Sequence, residues 1–109
     1  MTVGRGKYAN PRDGDVIEMD VDVRGGTVVV TRMDLRCCDA AVRASKELAR
    51  LAYGKTSEDA ARIEPHDLIT RLDLSRDEER CALTAIAALR AALVDAHVTE
   101  LATEEVERR

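Results

Sequence analysis

Alternation of apolar and polar residues is clearest in residues 16–23 of the chain. Every second residue from Ile17 to Val23 is apolar, and the residues between them are acidic. A period of two predicts a strand with one buried face. Residues 24–26, Arg-Gly-Gly, are a turn signal, and the valine-rich residues 27–33 predict the return strand of a hairpin.

Helical spacing begins after this hairpin. Residues 41–51 carry apolar side chains three or four positions apart, which predicts an amphipathic helix. Asp39 is the predicted N-cap, and Gly54 stands where a glycine commonly ends a helix. A shorter helix is predicted from Thr56, and Pro65 interrupts it and opens the next helical turn.

The longest predicted helix covers residues 76–97. Ser75 and Glu78 have the spacing of a capping box at its start. The side chains expected to face the core from this helix are Leu83, Ile86, Leu89 and Leu93. Residues 98–109 form a polar C-terminal tail, which either continues the helix or frays.

The segment before the hairpin contains little that predicts regular structure. Gly4, Gly6, Pro11 and Gly14 punctuate it, so residues 1–12 are expected to be a flexible N-terminal segment. Two strands followed by helices indicate an α+β fold, with a small antiparallel sheet and helices packed on one face. A chain of 109 residues is expected to form a single domain over residues 1–109.

Composition limits the functions that remain. The chain has no Phe or Trp and a net charge of −4, so it lacks the stacking surfaces and positive charge that nucleic acids require. No stretch is expected to approach the roughly 18 apolar residues of a membrane span, and no apolar signal-peptide core is visible. The expected location of the protein is therefore the cytoplasm. In the reducing environment of the cytoplasm, the three cysteines are expected to be free thiols, metal ligands or reactive sulfur and not disulfides. No catalytic triad or phosphate-binding glycine loop is visible, so no enzyme is predicted.

The order of the cysteines and helices resembles the NifU/IscU family of iron–sulfur cluster assembly scaffolds. Cys38, followed by a small-residue helix that ends in Gly-Lys-Thr at residues 54–56, matches the family's middle cysteine. Cys81, at the head of an Ala/Leu-rich helix, matches the last cysteine at the spacing of bacterial IscU and NifU. Residues 10–16 look like the family's Pro-x-Cys-Gly-Asp-Val segment. The resemblance implies a SufE/IscU-like fold.

The chain departs from the family pattern at identifiable positions. Asp13 stands at the first cysteine, and Arg80 replaces the histidine before the last one. Cys37 replaces a glycine, whereas Asp15 keeps the aspartate of the Gly-Asp pair. Residues 74–78 read Leu-Ser-Arg-Asp-Glu in place of the Leu-Pro-Pro-Val-Lys that an Hsp70-type chaperone reads, so recognition by that chaperone is not expected.

The resemblance also implies a ligand set. Cys38, Cys81, Asp15 and Asp13 are the candidates for holding a labile cluster, of [2Fe–2S] type, or a zinc ion. Cys38 is the candidate sulfur acceptor, with Cys37 as a substitute. Arg80 cannot ligate, but its charge would favour a thiolate at Cys81.

Three functions remain open at this level. The chain is a scaffold or carrier that receives sulfur from a cysteine desulfurase and serves apo iron–sulfur client proteins, or a zinc-binding persulfide acceptor. The third alternative is a degenerate paralogue that binds protein partners and no metal. Structural interpretations stay open too: Cys81 as a packed thiol, Asp13 as a turn residue beside Gly14.

Overall fold

The structure, a computed structural model, describes residues 2–12 and 14–107. It confirms an α+β fold in which a three-stranded antiparallel sheet precedes helices that pack on it. A 3-10 turn at Arg76–Glu78 leads into the last helix. The elements are β1 (Thr2–Ala9), β2 (Val16–Arg24), β3 (Thr27–Arg36), α1 (Asp39–Ala52), α2 (Ser57–Ala61), α3 (Pro65–Leu72) and α4 (Glu79–Glu107).

The predicted hairpin is present as β2 and β3. Gly25 and Gly26 have φ angles of 55° and 82°, which suit a tight two-residue turn between strands. The apolar side chains that alternate along β2 from Ile17 to Val21 are fully buried beneath the helices. A register shift between Asp20 and Val21 marks an irregularity in the pairing with β3.

The expectation of a flexible segment over residues 1–12 is wrong, because residues 2–9 form β1. This strand pairs with β2 in the order β1-β2-β3. A Cβ atom on Gly6 would lie 2.2 Å from the Ala92 nitrogen and 2.3 Å from the Ala88 oxygen. One on Gly4 would lie 2.2 Å from the Ala92 oxygen. The glycines therefore permit close approach of a helix backbone to a strand.

We call this contact the glycine–alanine seam. It consists of Gly4 and Gly6 on β1 and Ala88, Ala92 and Ala96 on α4. The three alanines are almost completely buried. Small side chains on both elements let the helix lie directly on the strand, and this contact sets the distance between α4 and β1.

The predicted core stripe of α4 was partly wrong. Leu83 is 54% exposed, whereas Ile86, Leu89 and Leu93 are buried as expected. The close approach to β1 requires alanine on the contacting face, and this turns Leu83 towards solvent. The helix continues through the predicted polar tail as far as Glu107. The predicted capping box of Ser75 and Glu78 is present at the 3-10 turn.

One helical stretch, Arg76–Val106, is long and apolar enough to cross a membrane by length and composition alone. This corrects the expectation that no stretch approaches such a span. Alanines and leucines raise its mean hydropathy to 1.5 over the most apolar window, but 56% of that window is buried inside the protein. The core helix of a soluble protein meets the same criterion.

The other face of the sheet carries a charged cluster. Asp20 accepts hydrogen bonds from Arg5 Nε at 2.8 Å and from Arg32 Nε at 2.9 Å. These two hydrogen bonds lower the pKa of Asp20 to about 2. Glu18 also pairs with Arg32. The cluster joins all three strands on the face away from the helices.

Candidate metal site

The N-terminal ends of two helices bring two cysteines together. Cys38 is the N-cap of α1, and Asp39, which was predicted for that role, is the first helical residue. Cys81 lies in the first turn of α4. The two Sγ atoms are 3.5 Å apart, well beyond the ~2.05 Å of a disulfide bond.

Asp15 is the third member of this group. It lies immediately before β2, it is buried, and its Oδ2 is 3.8 Å from Cys38 Sγ. The ligand atoms of Asp15, Cys38 and Cys81 all lie within 4.8 Å of one another. Within residues 2–12 and 14–107, no basic side chain pairs with Asp15. A buried carboxylate needs a compensating charge, and a cation between these three residues would supply it.

Hydrogen bonds hold the β1–β2 turn that carries Asp15. The backbone nitrogen of Asn10 donates to the Asp15 oxygen at 2.8 Å, and Gly14 donates to the Asn10 oxygen at 2.9 Å. The Asn10 side chain reaches Thr84 Oγ1 at 3.4 Å, and that hydroxyl donates to the Arg80 oxygen at 2.9 Å. The turn is therefore tied to α4 one helical turn beyond Cys81.

Helix α1 is fixed at both ends. After its C-terminus, Gly54 donates to the Val28 oxygen at 2.9 Å, which ties the helix to β3. Near its N-terminus, Arg43 pairs with Glu78 at 3.4 Å. Hydrogen bonds from Ser75, together with the Arg43 charge, hold the pKa of Glu78 below its usual range. This ion pair joins the two segments that present Cys38 and Cys81.

The three ligand residues line a cavity of about 490 Å³, which we call the thiol cleft. Asp39, Asp77 and Glu78 also line it. Cys38 is exposed, whereas Cys81 is buried, so the three candidate ligands span the depth of the cleft. Sequence reasoning missed the three further acids. Spacing could have indicated two of them: Asp39 adjoins Cys38, and Asp77 precedes Cys81 by four positions.

The other residues predicted from the sequence are not part of the described three-residue group. Cys37 is half-buried and packs against the core; burial, with the nearby Asp15 and Cys38, raises the pKa of its thiol. Arg80 is half-buried and is not among the described residues that line the thiol cleft. Asp13 lies outside the described residues.

Two sulfurs and one carboxylate oxygen define what the cleft can bind. Thiolates are the ligands of iron–sulfur clusters and of many zinc sites, and zinc also accepts carboxylate oxygen. These metals are commonly four-coordinate, so the group of three leaves one position for a further ligand.

Comparison with known proteins gives a family match over most of the chain. The model of the NifU-like N terminal domain matches residues 1–102. The iron sulfur cluster assembly protein 1 of Kluyveromyces lactis mitochondria is 32% identical over 95 residues, which cover 85% of this chain and 53% of that protein. This chain thus spans about half the length of that relative.

A bacterial relative and a solved structure agree with this match. The iron-sulfur cluster assembly scaffold protein IscU of Escherichia coli is 28% identical over 94 residues, covering 85% of this chain and 73% of that protein. A crystal structure from Fervidobacterium islandicum, described as a cluster assembly scaffold for the SUF system, superposes with a TM-score of 0.64 at 18% identity. The superposition covers 84% of this chain and 79% of that one. At that identity the likeness concerns the fold alone.

Proposed function

Since the chain belongs to the NifU-like N-terminal domain family, we propose that it is a non-catalytic scaffold for iron–sulfur cluster assembly. The cluster is the cargo of such a protein, which holds it and passes it on. The observation that carries the proposal is the convergence of Asp15, Cys38 and Cys81, whose ligand atoms lie within 4.8 Å of one another.

The ligand set supports a labile cluster, which we propose to be of [2Fe–2S] type. Two thiolates supply the soft sulfur that iron–sulfur clusters require, and the harder Asp15 oxygen binds iron in such a cluster less tightly than a third thiolate would. Cys38 is exposed, so one ligand is accessible to a donor or an acceptor protein. Weak retention and an open side both suit a protein that must release what it binds.

The proposed role requires partners. Sulfur would come from a cysteine desulfurase, and the finished cluster would pass to apo iron–sulfur client proteins. We propose a cytoplasmic location for this exchange. Residues 75 and 76, Ser-Arg, stand where the resemblance places two prolines of the Hsp70-type chaperone motif, so dependence on that chaperone is not part of the proposal.

Anaerobic reconstitution with ferrous iron, cysteine, a cysteine desulfurase and excess dithiothreitol tests the scaffold role, because the dithiol supplies the electrons that reduce the transferred sulfur to sulfide. We expect iron and acid-labile sulfide in equal amounts in the wild-type protein, with visible absorption from sulfide-to-iron charge transfer. Cys38→Ser and Cys81→Ser should each lose most of both elements, because each removes one of the two soft ligands.

Cys37→Ser is the matched control, since it removes a neighbouring thiol that lies outside the three-residue group. It should retain cluster content close to that of the wild type. A wild-type protein that binds neither iron nor sulfide, or a Cys38→Ser/Cys81→Ser double variant that retains both, would contradict the proposed function.

The exposure of Cys38 favours one second candidate, a zinc-binding sulfur acceptor. In that role the Cys38 thiolate would attack the terminal sulfur of a persulfide on the desulfurase. The sulfur–sulfur bond would break, and the desulfurase cysteine would leave as a thiolate. Mass spectrometry after incubation with the desulfurase and cysteine should then find one added sulfur atom on Cys38. Addition on Cys37 alone, or on neither residue, would exclude this role for Cys38.

A further inference from the structure

Helix α4 is apolar on two faces. Its inner face carries the alanines of the glycine–alanine seam and the larger aliphatic side chains of the core. A second apolar row follows the opposite face at alternating intervals of four and three residues, the spacing at which helices pair in coiled coils. We call it the outer row, and it consists of Ala87, Ala91, Val94, Val98 and Leu101. A surface helix usually has one apolar face, so the outer row points to a second contact.

The outer row is accessible to solvent. Val94, Val98 and Leu101 are 63%, 57% and 51% exposed, and the two alanines are half-buried. Ala96 is the last buried residue of α4, and every side chain in residues 97–106 is exposed. The last turns of the helix therefore gain little from packing on the rest of the described chain. Because helices in water depend on such packing, a partner that covers the outer row would stabilise these turns.

The sizes of the side chains in the outer row suit a second copy in antiparallel orientation. If two α4 helices cross at residue 96, Val94 of one copy lies opposite Val98 of the other. Ala91 of one copy then lies opposite Leu101 of the other, so a small side chain meets a large one. A parallel pair would instead place Leu101 against Leu101 and leave the alanines facing each other across a gap.

Charge favours the same orientation. Glu100, Glu104 and Glu105 lie near the C-terminal end of α4, and a parallel pair would bring these acidic ends together, where they repel. In an antiparallel pair, Glu104 approaches Arg90 of the other copy. The Arg90 side chain is 45% exposed, although it also lies 3.8 Å from Glu64 of its own chain. The same glutamates disfavour an anionic membrane as the surface that covers the row.

We propose that the outer row is the docking surface for a second copy of this chain, with the two α4 helices antiparallel. The inference goes beyond the proposed function and does not depend on it. With a rise of about 1.5 Å per residue, the two Cys81 residues would lie about 45 Å apart along the paired helices. Each copy would therefore keep its own thiol cleft, and no cluster would bridge the two copies at this interface.

Sedimentation equilibrium of the metal-free, reduced protein tests the pairing over a range of about 5 to about 500 µM. We expect a monomer–dimer equilibrium with a dissociation constant in the micromolar range, as is typical of small interfaces. Val98→Asp places a carboxylate in the middle of the outer row and should raise this constant at least about tenfold. Circular dichroism should show that the variant is folded, because Val98 is exposed in the single chain.

Val106→Asp is the matched control. Val106 is 70% exposed near the end of the same helix, but it lies about 80° around the helix axis from Val98 and outside the outer row. This variant should dimerise like the wild type. Equal weakening in both variants would mean that added negative charge, and not the outer row, controls association, and it would overturn the inference.

A spin label on the exposed Cys38 thiol tests the orientation. The buried Cys81 should not react, and a Cys37→Ser background removes the neighbouring thiol. Since Cys38 Sγ lies 3.5 Å from Cys81 Sγ, double electron–electron resonance should find the two labels about 45 Å apart in the dimer. A much shorter distance would place both clefts at one end and overturn the antiparallel arrangement.

The inference and the proposed function fail in different ways. A wild-type protein that stays monomeric over the whole range would overturn the inference, and sedimentation with phosphatidylcholine vesicles would then show whether lipid covers the outer row instead. Such a monomer that still binds iron and sulfide would keep the scaffold role. A dimer that binds neither would keep this inference and contradict the scaffold role.

Discussion

Along α4, the glycine–alanine seam and the thiol cleft differ in how closely the chain approaches itself. In the seam the contact is made by backbone atoms, and a Cβ on Gly6 would lie 2.2 Å from the Ala92 nitrogen. In the cleft the contact is made by side-chain tips, with 3.5 Å between the sulfurs of Cys38 and Cys81 and open space beyond them. The seam has no space for an added side-chain atom, whereas the cleft contains a cavity that could hold further atoms.

The sequence departs from the family pattern outside the seam. By the resemblance, Asp13 and Arg80 stand at positions of a cysteine and a histidine, and neither position belongs to the glycine–alanine seam. Such positions can change their chemistry while the seam still positions α4. Fold and ligand set are thus separable, and the following predictions test that separation from the largest effect to the smallest.

Gly6→Ala should produce the largest loss of stability. Its Cβ would collide with backbone atoms of Ala88 and Ala92, which cannot rotate away as a side chain can. We expect the free energy of unfolding to fall by about 3 kcal/mol or more. Chemical denaturation followed by circular dichroism measures it.

Val3→Ala is the control for that substitution, because Val3 is 51% exposed on the same strand. It should change stability by no more than about 0.5 kcal/mol. If Gly6→Ala proved as mild as the control, the seam would not be the rigid part of the fold.

Asp20→Asn should have the next largest effect, and it should depend on pH. The pKa of Asp20 is lowered from 3.8 to about 2 by hydrogen bonds from Arg5 and Arg32. A lowered pKa stabilises the folded state above the unfolded pKa, and this stability is lost as the pH falls from about 4 through about 2. Because solvent screens the partly exposed arginines, we expect a contribution of about 1–2 kcal/mol.

Denaturation curves at pH values from about 6 down to about 2 measure this contribution. The wild type should lose stability over that interval more steeply than Asp20→Asn, and the two curves should converge at the acid end. Parallel curves would show that the two arginines do not hold Asp20, and the charged cluster would then contribute little to the stability of the fold.

Thr84→Val should affect both the stability of the fold and metal binding at the thiol cleft. The buried Thr84 hydroxyl donates to the Arg80 oxygen and lies 3.4 Å from the Asn10 amide, so it ties the turn that carries Asp15 to α4. Removing it should cost about 1 kcal/mol of stability and should also weaken metal binding. Denaturation and zinc competition measure these two effects.

Thr103→Val is the matched control for Thr84→Val. Thr103 donates the same kind of bond to the Thr99 oxygen, at an exposed position away from the cleft. It should leave zinc affinity unchanged. Weaker zinc binding in both variants would mean that the effect comes from the helix as a whole and not from the turn.

Arg43→Gln should have the smallest effect. The Arg43–Glu78 pair joins the two segments that present the cysteines, but both side chains are substantially exposed. We expect a small loss of stability at low salt, which should shrink at about 1 M salt. A loss as large as that of Gly6→Ala would show that the cleft is held as rigidly as the seam.

Much of the fold, meaning its strands and helices, could be predicted from local sequence patterns. The alternation along β2 and the paired glycines after it specified the hairpin, because both signals are local and physically direct. β1 was missed because Gly4 and Gly6 have the same composition as a flexible segment. Their function depends on a helix some 80 residues further along the chain, and no local pattern contains that contact.

The thiol cleft was less predictable from the sequence than the strands and helices. Its two cysteines and Asp15 were proposed from a family resemblance, and the structure brings these three together. Asp77 was seen only as part of a replaced chaperone motif. Its place at the cleft follows from the 3-10 turn that precedes α4, which patterns of apolar residues do not specify.

The seam also has a consequence for biosynthesis. It joins the first and last of the described elements, and the Arg5 nitrogen donates to Asp95 Oδ2 at 2.8 Å across 90 positions. On the ribosome β1 must therefore wait for α4 to emerge, with its outer edge uncovered and its glycines unpacked. Contacts between distant parts of a chain form slowly, so we expect the two cysteines to meet late. A nascent chain would expose Cys38 well before the thiol cleft has formed around it.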